Sequence, residues 1–220
     1  MIAALLGGGA LVYTAWLIEP ALNTGLHPLH SYVSELAAQN QPFGTLFRTT
    51  DLLAGLLVLA GALWALLRTP RTPWALIGWG GVALFGAATA IDSRLPLSCA
   101  PTDDAACAAR EAAGLVPATH TAHAVSSSVA MTGAVIGMAA LTVAARRHGW
   151  WPLLARTGPL LVALELAATV WTLASVAAFT AGHGTWGLGA GQRLQVLLVA
   201  VWLGLLALSL ARERTDKAVQ

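Results

Sequence analysis

Six long, nearly uncharged apolar runs limit what this chain can become. Crossing the hydrocarbon of a bilayer takes about 20 predominantly apolar residues, and runs of that kind lie at about residues 2–18, 44–67, 74–91, 124–145, 158–181 and 194–210. In lipid every backbone polar group must be satisfied internally, so the runs predict helices. The expected fold is all-α: a polytopic membrane protein in which a six-transmembrane-helix bundle forms one integral membrane domain over residues 1–220. Composition excludes the soluble alternative, since 57% of residues are hydrophobic and 10% charged, against about 25% charged in ordinary soluble domains. A formal net charge of +2 gives no field for nucleic acid. The expected partner is membrane lipid, with a hydrophobic small molecule as substrate. The first run lacks a basic n-region and a cleavage site followed by a soluble domain, so it reads as a retained helix.

Basic residues near span ends are held in the cytoplasm. Arg68, Arg71, Arg146, Arg147, Arg156, Arg212, Arg214 and Lys217 would share one side, and only Arg48, Arg94, Arg110 and Arg193 the other. Eight against four predicts cytoplasmic N- and C-termini in a multi-pass protein of the cell membrane, with the long loops extracytoplasmic. Those loops carry most of the polar chemistry. In the first, Leu26, Leu29, Tyr32, Val33 and Leu36 recur at three- and four-residue steps, which predicts an amphipathic helix on the membrane surface that stops before Pro42. In the second, Cys99 and Cys107 are the only cysteines. An oxidising compartment would let them form a disulfide that fixes the loop as a cap, with a reactive thiol or metal pair as the other reading.

Most candidate site residues are expected at one outer level, with Asp51, Asp92 and His120 at the same depth. Arg48 and Asp51 are three apart near the start of the second span, placed to form an ion pair at the membrane edge. Asp92 closes the third span. His120 and His123, three apart, begin the fourth, with Ser127 one turn below His123. Such a pair can serve as general acid and base, hold a helix end, or ligate a divalent metal whose shell Asp92, Asp51 or Glu35 would complete. Glu165 is the acid deep inside the fifth span, a functional candidate by default in hydrocarbon. Trp171 lies deeper than a belt tryptophan and is a candidate to line a cavity.

Ser34-Glu35-Leu36 after the first span, Arg48 and Asp51 opening the second, Asp92 with Pro96 and Cys99 after the third, and His120 heading the fourth resemble the bacterial integral-membrane family catalogued as domain of unknown function 998. The resemblance implies six membrane helices with a polar cluster on the outer face, and no established activity. A more distant similarity is to membrane hydrolases of the alkaline ceramidase and adiponectin receptor type, which combine Ser, Asp and His around zinc. This chain departs from them in its three-residue His120–His123 step, where they have a four-residue step, and in its six spans where seven are expected.

Three functions fit these residues. Asp51, Asp92, His120, His123 and Glu35 would be catalytic, with Ser34, Arg48, Glu165 and Trp171 in binding, in an enzyme acting on a lipid or isoprenoid-like substrate, either a hydrolase or an acid-driven cyclase or isomerase. The alternatives are permeation of protons or a small solute, or a structural or regulatory membrane subunit. The direction in which the polar residues point discriminates them.

Overall fold

The computed structural model describes residues 1–219, with side chains through residue 213. Seven α-helices occur among them: α1 (Ile2–Tyr13), α2 (Gly44–Arg68), α3 (Pro73–Asp92), α4 (Ala105–Ala112), α5 (Ala118–His148), α6 (Pro152–Thr180) and α7 (Leu188–Val219). All except the short α4 supply a membrane-length apolar segment, the first being α1 continued by a 3-10 stretch to Ala21. The protein is an all-helical integral membrane protein with six such segments.

Local chemistry sets the helix ends. Pro73 and Pro152 occupy opening positions, where a missing N–H does no harm. Thr72 accepts from Ala75 N at 3.3 Å, and Asp104 caps α4 by accepting from Ala106 N at 2.8 Å. Helices α5, α6 and α7 each begin six residues before the apolar runs do. A helix continues beyond the hydrocarbon where its polar side chains find partners, whereas hydropathy stops at the first polar group.

The spans pack in the cyclic order α1, α2, α3, α5, α6, α7 and back to α1. Backbones approach closely where glycines face each other: a Cβ on Gly55 would lie 2.6 Å from Ala90 N, and one on Gly81 2.6 Å from Gly137 N. Toward the end that carries both chain termini the interior is filled by Leu6, Trp79, Leu141, Trp202, Leu203 and Leu206. The void left among Val82, Phe85, Met138 and Trp202 is about 10 Å³, enough for about one water. Arg68 lies over Trp64 and Arg147 over Trp74 at this same basic end. Arg214 and Lys217, counted in the charge bias, lie outside the residues whose side chains are described.

At the opposite, loop end, the first connection is not the surface helix that its periodicity predicts. It is irregular apart from two 3-10 stretches, Ala15–Ala21 and Val33–Ala37. Gly25 takes a positive φ of 77°, which turns the chain. Leu26 and Leu36 then bury against Phe47 and Ala100 rather than facing lipid. In the second connection Cys99 and Cys107 form a disulfide.

Candidate functional site

Each span buries a stripe of residues at three- and four-residue steps. In α1 the stripe is Ile2, Leu6, Gly9 and Ala10, and the next step reaches Tyr13. In α2, Ala65, Ala62, Val58 and Ala54 lead to Asp51; in α3, Phe85, Ala88 and Thr89 lead to Asp92. The α5 stripe runs through Ala134, Ala130 and Ser126 to His123. The α6 stripe contains Glu165, Ala168 and Thr172, and that of α7 joins Trp202 and Val199 to Gln195. Polar groups therefore continue the apolar interior of each span toward the loops, with Glu165 near the middle of α6.

His123 Nδ1 lies 3.0 Å from Asp92 Oδ1, and His123 Nε2 lies 3.3 Å from Ser127 Oγ. Ser127 Oγ donates to Asp92 Oδ1 at 3.2 Å, and Ser126 Oγ donates to the same oxygen. Asp51 lies near Asp92 and His123. Tyr13 lies within electrostatic reach of Asp51, Asp92 and Glu165. It also meets Phe85 edge-on with ring centroids 5.3 Å apart. Glu165 is buried beside Thr169 and Gln195, and Gln195 gives its amide to Thr169 at 2.9 Å. Tyr13, Asp51 and Asp92 are half-buried, whereas Leu6, Val58 and Phe85 further along their stripes are buried. An imidazole with a carboxylate beside one nitrogen and a hydroxyl beside the other can take up and return a proton.

His120 belongs to another network. Its Nδ1 accepts from Ser98 N at 3.1 Å, so the ring proton is assigned to Nε2, which faces Glu111 Oε1 at 3.5 Å. The ring pins the start of the disulfide loop. Glu35 pins its middle, accepting from Thr102 N at 2.8 Å and from Thr102 Oγ1 at 2.5 Å. Burial pushes the Glu35 carboxyl up to about 7, against the opposing pull of the Thr102 hydrogen bonds. Ser34 is half-buried in the same 3-10 turn.

Arg48 does not pair with Asp51. It turns toward the loop and donates to Ala37 O at 2.7 Å, Ala38 O at 3.3 Å and Thr45 Oγ1 at 2.9 Å, while Asp51 follows the interior stripe. Trp171 is exposed on α6 and donates from Nε1 to Trp186 O at 3.0 Å. His120 and His123 bond to different partners, and among the described residues no three His, Cys, Asp or Glu side chains converge to hold a metal ion.

Sequence reasoning passed over Tyr13, Ser126 and Gln195, which counting steps along each stripe would have reached. It also passed over a buried ion pair. Arg193 donates from Nε and Nη2 to Glu19 at 2.8–3.0 Å, and from Nη1 to Pro28 O and Ser31 O at 2.8 Å and Gly189 O at 3.2 Å. One charge at the loop end of the first and last spans was the available signal.

A family model described as protein of unknown function (DUF998) matches residues 6–209. No curated protein and no solved structure matches the chain.

Proposed function

Since the chain belongs to the DUF998 family of proteins of unknown function, its activity has to come from its own residues, and we propose a membrane enzyme that acts on a lipid or isoprenoid-like substrate by acid–base chemistry. The observation that carries this reading is the 3.0 Å approach of Asp92 to His123 on the interior stripes of two spans. His123 is the proton acceptor and donor. Asp92 orients the ring, with Ser126 and Ser127 holding Asp92 in place. Glu35 and His120 position the disulfide loop over this end and act through it.

The filled apolar half supports a site entered from one end over a path across the membrane. We place the loop end outside the cytoplasm, following the basic-residue bias.

The test incubates the purified protein in nanodiscs with a total bacterial membrane-lipid extract and follows lipid masses. Wild type should deplete one class of lipid and generate a new species, and His123→Gln should not, at equal folded yield. Identical profiles for the two proteins would overturn the assignment.

A further inference from the structure

The end of the bundle that carries the chain termini is rimmed by arginine. Arg68 closes α2 and Arg71 follows in the turn, Arg146 and Arg147 close α5, Arg156 lies near the start of α6 and Arg212 in α7, and all are exposed. None of them has a carboxylate partner among the described residues, where the arginine ion pairs lie at the loop end. Glu213, the acid described at this end, accepts from Trp151 Nε1 at 2.8 Å. Two of the guanidiniums lie over indole faces, Arg68 over Trp64 at 5.4 Å and Arg147 over Trp74 at 5.3 Å from the ring centroid. A ring engages the flat face of a guanidinium and leaves the N–H groups on its edge free to donate.

We infer that this rim selects anionic phospholipids, its guanidiniums donating to headgroup phosphates. The occupant follows from depth. Trp64 lies in the last turns of one membrane-length span and Trp74 in the first turn of the next, which is where indoles sit at the headgroup boundary. The guanidiniums over them therefore lie in the headgroup layer, where the abundant anion is the lipid phosphate. A planar guanidinium matches two phosphate oxygens with paired N–H donors. A net negative headgroup is favoured over a zwitterionic one, because an ammonium on the headgroup offsets the phosphate and brings a like charge against the rim. No shared pocket is required: each guanidinium meets a phosphate of its own, and the summed positive potential of the rim draws the lipids to it. The rim lies at the end opposite the His123–Asp92 pair, so this binding is independent of the enzyme reading and of which side of the membrane that end faces.

The experiment follows thermal unfolding of the full chain in a non-ionic detergent as phosphatidylglycerol, phosphatidylcholine or inorganic phosphate is added. Phosphatidylglycerol should raise the unfolding temperature saturably, and phosphatidylcholine or inorganic phosphate at the same concentration should not. Salt at about 1 M, where the screening length falls to about 3 Å, should remove most of that shift. Arg71→Gln combined with Arg146→Gln removes two exposed charges that neither indole holds. At about fivefold per charge, the double variant should need at least about tenfold more phosphatidylglycerol for the same shift. Arg94→Gln, at an exposed position of the loop end, should leave the titration unchanged. Equal shifts from the two lipids, saturation by inorganic phosphate, or an unchanged titration in the double variant would overturn the inference. So would the same weakening from Arg94→Gln as from the double variant. If the double variant fails to fold, the lipid and phosphate series on wild type still decides.

Discussion

Glu35 carries its carboxyl into a buried turn, where Thr102 supplies both a backbone N–H and a hydroxyl. The folded carboxyl keeps its proton up to about pH 7, whereas the ordinary group loses it near 4.5. Between those values the folded state binds the extra proton. Its contribution is therefore full below about pH 4.5 and is lost as the pH rises through about 7. Unfolding followed across this range in detergent should show wild type losing stability, and Glu35→Gln should show a flatter profile. Thr102→Val removes a donor that favours the carboxylate, so it should shift the wild-type loss to higher pH. Arg193 presents the opposite case, a buried ion already matched by Glu19. Glu19→Gln should cost about 3–5 kcal/mol of stability, because it leaves a guanidinium buried without its counter-charge. An unfolding midpoint unchanged from wild type would show that the pair is dispensable.

At the scale of elements, α3 is held between α2 and α5 by backbone contact through Gly86 and Gly55 on one side and Gly81, Gly133 and Gly137 on the other. Gly81→Ala should destabilise by about 1–3 kcal/mol, since its Cβ would meet the Gly137 backbone and force the helices apart. Gly80 has nothing within 4 Å of an added Cβ. Gly80→Ala should therefore be neutral or stabilising by up to about 1 kcal/mol. Equal losses from the two substitutions would mean that helix contact at Gly81 does not limit stability. The connection between α3 and α5 is tied down by different means: the disulfide closes it, His120 takes Ser98 and Glu35 takes Thr102.

For the whole molecule, the ring separates a filled apolar half at the basic end from a polar half at the loop end, and the sidedness of the polar half is open to direct test. In a Cys99→Ser, Cys107→Ser background, Ala105→Cys should react with an impermeant thiol reagent in intact cells and Thr72→Cys should not. The reverse pattern would overturn the proposed orientation and place the site facing the cytoplasm. The sequence by itself determined six membrane-length helices, because bilayer thickness imposes a length that hydropathy records residue by residue. It also placed most of the polar chemistry near the loops and expected the two lone cysteines to form a disulfide, which the structure contains. Only the tertiary structure decided which groups meet. Arg48 and Asp51 are three residues apart, yet one turns to loop carbonyls and the other to the interior, because a helix face has no partner until its neighbours are fixed. His120 and His123 separate for the same reason, one to Ser98 and one to Asp92. The surface helix expected from Leu26 to Leu36 gave way to a buried cluster, because Phe47 and Ala100, distant along the chain, offered those side chains a surface that local periodicity cannot register.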